Sequence, residues 1–294
     1  YLDWEEEEGC TKEWIERFER TMRNSDRLER RVRMMNDPTH DFGLANGNVN
    51  ETMPLERQML EQYQHEINTI ESCLVNFSKN LGIESSMYNI TSLGLHPDDD
   101  KLCIVTKNKK NRFVSFRKLP AGYKRLLSIV LDLAYRSFIL SEGRSCNIKG
   151  IAVIDEIDLH LHPELEQIVL EGFVNTFPDL QFVVSTHSPL VLAGLETKEK
   201  QNVILRMEPD TSRPEMWHDI HGIDYNLMLE ENMDVQKRKP VIQALFDDAW
   251  QKVSDKQIAE AKAVVEELEN ITPSDQLELV KLRAMIKRLE VIGR

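Results

Sequence analysis

Long apolar runs are missing from this chain. The longest stretches, such as Leu126 to Leu133, are broken by polar residues well short of the roughly 20 apolar residues that cross a bilayer. No segment has the make-up of a secretory leader either, so a membrane is not among the expected partners. Cysteine is scarce: Cys10, Cys73, Cys103 and Cys146 stand far apart with no metal-ligand spacing, which fits a reduced, cytoplasmic compartment and thiols used as small apolar side chains. Positive charge is also in deficit. With 37 Lys and Arg against 50 Asp and Glu, the formal charge is −13, which excludes a surface that is basic all over but leaves room for a local basic patch. What is present is 41% hydrophobic and 30% charged residues, enough for the core of one large or two modest soluble domains.

The chain reads in three parts: residues 1–85 as a helical arm or insertion, 86–215 as an α/β lobe, and 216–294 as a helical tail. In the first part, Trp14, Ile15, Phe18, Met22 and Leu28 form one stripe within a helix from Thr11 to Met35. A polar, Pro- and Gly-containing break over 36–50 leads to a second helix from about Thr52 to Leu81. Two arrangements stand side by side for this pair, a projecting arm and a layer packed on the main domain. Residues 86–117 change to short β-rich runs (Met87–Ser92, Leu102–Thr106, Phe113–Phe116), with Asn108–Asn111 as a hairpin turn. From Gly122, helices alternate with the strands Gly150–Ile154, Gln181–Val184 and Asn202–Arg206, with Pro163–Phe177 as one helix and a short helix after Pro189. That alternation predicts an α/β fold whose parallel sheet is covered on both faces. After Trp217 the tail reads as helices Asp224–Met233, Pro240–Val253, Asp255–Asn270 and Ser274–Ile292, with Ser254 and Ser274 as caps.

The chemistry concentrates in three places. Gly150-Ile151-Ala152-Val153-Ile154 is a buried strand ending in Asp155-Glu156, at the strand end where open α/β sheets place ligands. Asp155 suits a hold on Mg²⁺, a hard ion that takes oxygen ligands, and Glu156 suits a general base acting on a water that attacks a γ-phosphate. A neighbouring strand, Gln181 to Val184, runs into Ser185-Thr186-His187-Ser188-Pro189. There His187 is either an imidazole within reach of that phosphate or a decoration of the next helix start. Upstream, Leu119-Pro120-Ala121-Gly122-Tyr123-Lys124 opens a long helix with a small-residue turn, which is either an anion site or an ordinary helix entry.

In this order, on an alternating α/β pattern, the three segments resemble the signature motif, the Walker B strand and the switch histidine of ABC-type ATPases. The stretches Asp155–Pro163 and Ser185–Pro189, the Gly122-Tyr123-Lys124 helix start, the acidic Trp4–Glu8 opening and the tail after His221-Gly222 resemble one bacterial branch. That is the AAA_15/AAA_21 group, which takes in the overcoming-lysogenization-defect ATPases and the ATPases of Septu and retron defence systems. The resemblance implies ATP as substrate with Mg²⁺. It makes Asp155 the magnesium carboxylate, Glu156 and His187 the catalytic pair, and His160 and His162 the D-loop. Leu119, Ala121, Gly122 and Lys124 become the contact to a nucleotide held by a partner subunit. It further implies a dimer or higher oligomer controlling an effector such as a nuclease in anti-phage defence.

Two departures stand out. The usual signature serine is Pro120, which has neither hydroxyl nor N–H. No Gly-x-x-x-x-Gly-Lys-[Ser/Thr] phosphate loop occurs, and Gly43 to Asn50 offers glycines without a lysine. The chain opens on Tyr1, so the expectation is that the phosphate loop belongs to a preceding piece and that this chain alone does not hydrolyse ATP. The alternative is a nucleotide-incompetent interaction subunit. A third reading, a DNA-maintenance ATPase of the SMC or recombination type, draws on the stretch Lys101–Arg125, which holds nine Lys and Arg and no Asp or Glu. The same lysines also suit the solvated edge of a hairpin.

Overall fold

In a computed structural model the described residues are 10–35, 49–83, 89–106, 112–195, 202–207, 213–217, 238–273 and 275–292. They divide into two compact units, 1–222 and 223–294.

The first unit begins with two long helices, α1 (Cys10–Met35) and α2 (Val49–Asn80). Of the expected stripe, Phe18 is fully buried and Trp14, Ile15 and Met22 are partly buried against one cluster, which Ile70, Leu74 and Phe77 of α2 share with Leu126, Val130 and Phe173. Polar side chains fix the same contact. Trp14 Nε1 donates to Asp132 at 2.7 Å while its ring stacks on Tyr135 at 5.0 Å, and Arg17 grips Glu66 through two bonds of 2.9 Å. Of the two arrangements open on sequence, these contacts describe a layer.

Next come β1 (Ile90–Leu95), β2 (Leu102–Thr106) and β3 (Arg112–Ser115), an antiparallel meander in the order β1-β2-β3. The helical layer satisfies backbone N–H groups of these strands: buried Glu19 accepts from Leu102 N at 2.9 Å, Glu71 from Leu93 N at 2.8 Å, and Ser78 from Ile90 N at 2.8 Å. The expected hairpin turn at 108–111 lies outside the described residues.

A single 3₁₀ turn (Phe116–Lys118) leads to α3 (Ala121–Leu140), most of which is buried because its sequence is apolar nearly all round. Then follow β4 (Gly150–Ile154), α4 (Pro163–Glu166), α5 (Val169–Thr176), β5 (Leu180–Val184) and α6 (Pro189–Ala193). β4 and β5 pair in parallel, from Gly150 opposite Leu180 to Ile154 opposite Val184.

Three expectations are corrected here. The helix read as Pro163–Phe177 is two: Gln167 ends α4, Ile168 leaves helical geometry (φ −120°, ψ −8°), and the carbonyl of Gln167 is pressed against Gly194, where an added Cβ would lie 2.1 Å away. The segment read as Asn202–Arg206 does not extend the parallel sheet. Its β6 (Ile204–Arg206) forms a separate antiparallel ribbon with β7 (Glu215–Trp217). Nor is the parallel sheet covered on both faces among the described residues. Ala152 and Ile154 are buried, but Ile151, Val153 and Val183 are 68%, 76% and 50% exposed.

In the second unit, α7 (Pro240–Ser254), α8 (Ile258–Ile271) and α9 (Leu277–Ile292) bury Phe246, Val265, Leu268, Leu279 and Leu282 against one another. The caps differ from expectation: Asp255 closes α7, and Gln257 rather than Ser254 precedes α8. Ser274 and the expected helix Asp224–Met233 lie outside the described residues. No helix of the described residues is long and apolar enough to cross a membrane.

Candidate functional site

Because β4 and β5 are parallel neighbours in register, the residues after Ile154 and after Val184 emerge at the same end of the sheet. Ser185 joins them. Its N–H donates to the carbonyl of Ile154 at 3.1 Å and its own carbonyl accepts from Ile157 N at 3.1 Å. Its hydroxyl donates to the Asp155 carboxylate and accepts from the backbone N–H of Glu156 at 2.8 Å. One residue on, Thr186 Oγ1 donates to Asp158 Oδ1 at 2.5 Å. Two expected site residues, Asp155 and Glu156, thus sit on one strap across the two strand ends, both exposed to solvent.

The strap, 155–161, is tightly turned. Glu156 (φ 48°) and His160 (φ 62°) take left-handed backbone geometry, which costs a non-glycine residue about 1–2 kcal/mol and persists only where surroundings impose it. Arg125, in the second turn of α3, supplies that constraint. Its Nη2 donates to the Asp155 carbonyl at 2.9 Å, and its Nη1 to the carbonyls of Glu156 (2.7 Å), Ile157 (3.3 Å) and Leu159 (3.3 Å). Burial pulls the Arg125 guanidinium below its ordinary value, opposed by the carboxylates of Asp158, Glu156 and Asp155. The side chain nonetheless remains a cation.

The helix start expected to meet a partner's nucleotide abuts this strap. Gly122 lies under His160, so closely that a Cβ on it would fall 2.2 Å from the His160 carbonyl oxygen. Leu119 is 6% exposed and belongs to the core, and its N–H donates to the Phe116 carbonyl. Ala121 is exposed and Lys124 half-buried. Pro120 is the N-cap and provides no side-chain bond to the helix.

His187 is exposed, two residues past Ser185. Capping of α6 falls to Ser188, whose hydroxyl accepts from Leu190 N at 3.1 Å and donates to Glu166. His162 is occupied at the start of α4, where its Nδ1 accepts from Glu164 N at 3.3 Å, while His160 is exposed.

Among the described residues no group of three or more His, Cys, Asp or Glu is placed to hold a metal ion. Mg²⁺ is held by one or two carboxylates and keeps several waters. Asp155, exposed and oriented by Ser185, offers such a carboxylate.

Sequence reasoning passed over Ser185, Thr186, Asp158 and Arg125. Ser185 and Thr186 follow the strand end directly, where a hydroxyl can cross to the neighbouring strand. Arg125 was legible only as three residues past Gly122, on the same helix face. Of the basic stretch, Arg125 is spent internally and Lys101 pairs with Glu19 at 3.4 Å.

A family model described as AAA_21, "AAA domain, putative AbiEii toxin, Type IV TA system", matches residues 12–193. Among curated proteins, the "Retron Vc95 probable ATPase" of Vibrio cholerae serotype O1 biovar El Tor is 42% identical over 106 residues, 35% of this chain and 20% of that protein. The "Retron Ec83 probable ATPase" of Escherichia coli is 29% identical over 203 residues, 65% of this chain and 36% of that protein. "Septu protein PtuA" of Bacillus mycoides (strain KBAB4) is 34% identical over 85 residues, covering 29% and 12% respectively. Each match spans well under half of the relative's own length. A solved structure titled for ATP-driven dimerization and DNA-stimulated activation of SMC ATPases aligns over 62% of this chain and 98% of its own, at a TM-score of 0.39 and 13% identity. That likeness is too loose to bear on function.

Proposed function

The chain belongs to the AAA_21 family of AAA domains, and on that footing we propose that it forms part of a dimeric, ATP-hydrolysing switch in which the strap 155–161 holds the catalytic groups. The observation that carries this reading is the joining of Asp155-Glu156 and Ser185-Thr186-His187 at one end of a parallel strand pair, through a single hydroxyl. Parallel α/β sheets bind ligands at that end.

In this reading Asp155, oriented by Ser185, holds Mg²⁺, which when bound neutralises charge on the phosphates of ATP. Glu156 accepts a proton from the attacking water, and its exposure leaves room for that water. His187, exposed two residues past Ser185, contacts the γ-phosphate or the water next to it. Ala121, Gly122 and Lys124 meet the nucleotide of the other subunit, so that loss of the γ-phosphate loosens the dimer. The retron and Septu relatives support a role in anti-phage defence, with an effector such as a nuclease under the control of the switch.

The test is Glu156→Gln in the intact protein. It is expected to bind ATP, accumulate as dimers and lose turnover; hydrolysis at the unaltered rate would remove Glu156 from its role. A second reading is an interaction subunit that binds no nucleotide; ATP binding by the protein decides against it.

A further inference from the structure

The first two turns of α3 and the strap 155–161 make contact through one helix face, and this contact has no part in the reading above. Gly122 and Arg125, three residues apart, point the same way. Gly122 allows backbone-to-backbone approach to His160 and Leu161, where an added Cβ would lie 2.2 Å from His160 O and 3.1 Å from Leu161 Cα. Arg125 then reaches four carbonyls, those of Asp155, Glu156, Ile157 and Leu159. A guanidinium fork can bridge several fixed acceptors, whereas a lysine ammonium is a single point on a flexible stem. The carbonyls belong to a strap that needs holding, because Glu156 and His160 both sit in left-handed geometry. Arg125 Nε is buried without a partner among the described residues, so this side chain is set by the strap rather than by general solvation.

We infer that Arg125 is a positioning residue, which locks the Asp155-Glu156 strap to the first turns of α3 so that a contact made by Ala121 or Lys124 is transmitted to the Glu156 carboxylate. This rests on the ATPase reading above and adds to it a route between the two halves of the site. Arg125 acts through Glu156 and touches no substrate. Ala121, flanking the Gly122–Arg125 face, is exposed and can meet a ligand when the strap side is engaged.

The experiment compares Arg125→Gln, Arg125→Lys and Glu156→Gln in the intact protein by steady-state ATP hydrolysis and by ATP binding. Displacing a catalytic group by about 1 Å can lower rates by about 100-fold, so Arg125→Gln is expected to lose kcat on that order while KM and ATP affinity stay within about threefold. Arg125→Lys is expected to fold and to show an intermediate kcat. If Arg125→Gln fails to fold, Arg125→Lys carries the test alone. A normal kcat in Arg125→Gln, or in Arg125→Lys, would overturn the inference. So would a fall in kcat matched by an equal loss of ATP binding and of thermal stability, or failure of both variants to fold. Glu156→Gln separates the two levels: turnover persisting there defeats the ATPase reading. A dead Glu156→Gln beside a fully active Arg125→Gln defeats only the role of Arg125.

Discussion

Replacing Gly122 with alanine sets two effects of known size against each other. Alanine in place of glycine within a helix stabilises by about 0.5–1 kcal/mol, through the entropy of the unfolded chain. At position 122, however, the new Cβ falls 2.2 Å from the His160 carbonyl oxygen, where 3.0 Å is the practical minimum, so strap and helix must part by about 0.8 Å. The obstacle is backbone and cannot rotate away. Overpacking of this kind costs about 1–3 kcal/mol, and the parting also stretches the bonds of Arg125. The net expectation is a loss of about 1–2 kcal/mol, lowering the melting temperature of the 222-residue unit by roughly 2–4 °C per kcal/mol.

Gly172→Ala is the comparison. Its Cβ would meet Leu81 Cδ2 at 2.8 Å and Phe77 Cε2 at 3.1 Å, which are side-chain ends able to yield, so its net effect is expected within about 0.5 kcal/mol of zero. Thermal unfolding orders the two variants, and hydrogen exchange locates the damage. The amides of Ile157, Leu159 and Leu161, bonded to the carbonyls of Ser185, Glu156 and Asp158, should exchange faster in Gly122→Ala alone. A Gly122→Ala protein as stable as Gly172→Ala, with unchanged exchange over 157–161, would refute the close approach.

Further expectations concern separate parts of the molecule. Burial, with nearby Glu66, raises the Tyr135 phenol above its ordinary 10.0. The stability it lends is complete well below that value and is lost as pH climbs past it. Urea midpoints should therefore fall between about pH 9 and about pH 11, and less steeply in Tyr135→Phe; identical slopes would count against it. Ser185→Ala removes the group shared by Asp155 and Glu156 and, in the intact protein, should weaken the Mg²⁺ dependence of turnover while costing only about 1 kcal/mol of stability at this exposed position. Val153→Lys, at a site 76% exposed, should stay within about 0.5 kcal/mol of the original stability in thermal unfolding; a larger loss would mean that this sheet face is covered.

Periodicity made the long elements legible. The stripe of Trp14, Ile15, Phe18 and Met22 packs on the core as spacing requires, and the strands Gly150–Ile154 and Leu180–Val184 pair in parallel as an alternating α/β pattern demands. What failed was context. All of 163–177 is compatible with helix, and the break at Gln167 and Ile168 follows from a tertiary contact with Gly194, invisible to local propensity. The run Ile151-Ala152-Val153-Ile154 reads as buried on both faces, yet among the described residues only the side bearing Ala152 and Ile154 has a partner layer. At the site, the carboxylates announce themselves as a strand-terminal Asp-Glu pair. Ser185 and Arg125 do not, because a serine and an arginine carry no positional signal until the strand register and the helix face are known. Arg125 is also camouflaged by the eight other cations between Lys101 and Lys124.

That camouflage bears on how the basic stretch is to be understood. A cluster of cations in an acidic chain suggests an outward electrostatic purpose, but two of its members face inward onto fixed acceptors. Lys101 and Arg23 share the Glu19 carboxylate, which also accepts from the backbone of β2. Arg125 holds the strap. A nucleic-acid surface would need cations free to displace counterions from phosphates, each adding to the salt dependence of binding. Neither Lys101 nor Arg125 can do so without releasing a structural contact, so the net charge of the segment overstates its reach. Any salt-sensitive binding must rest on its other members, among them the exposed Arg117 and Lys118. Neutralising those two should weaken such binding and its salt dependence and leave the strap untouched, whereas neutralising Arg125 should do the reverse.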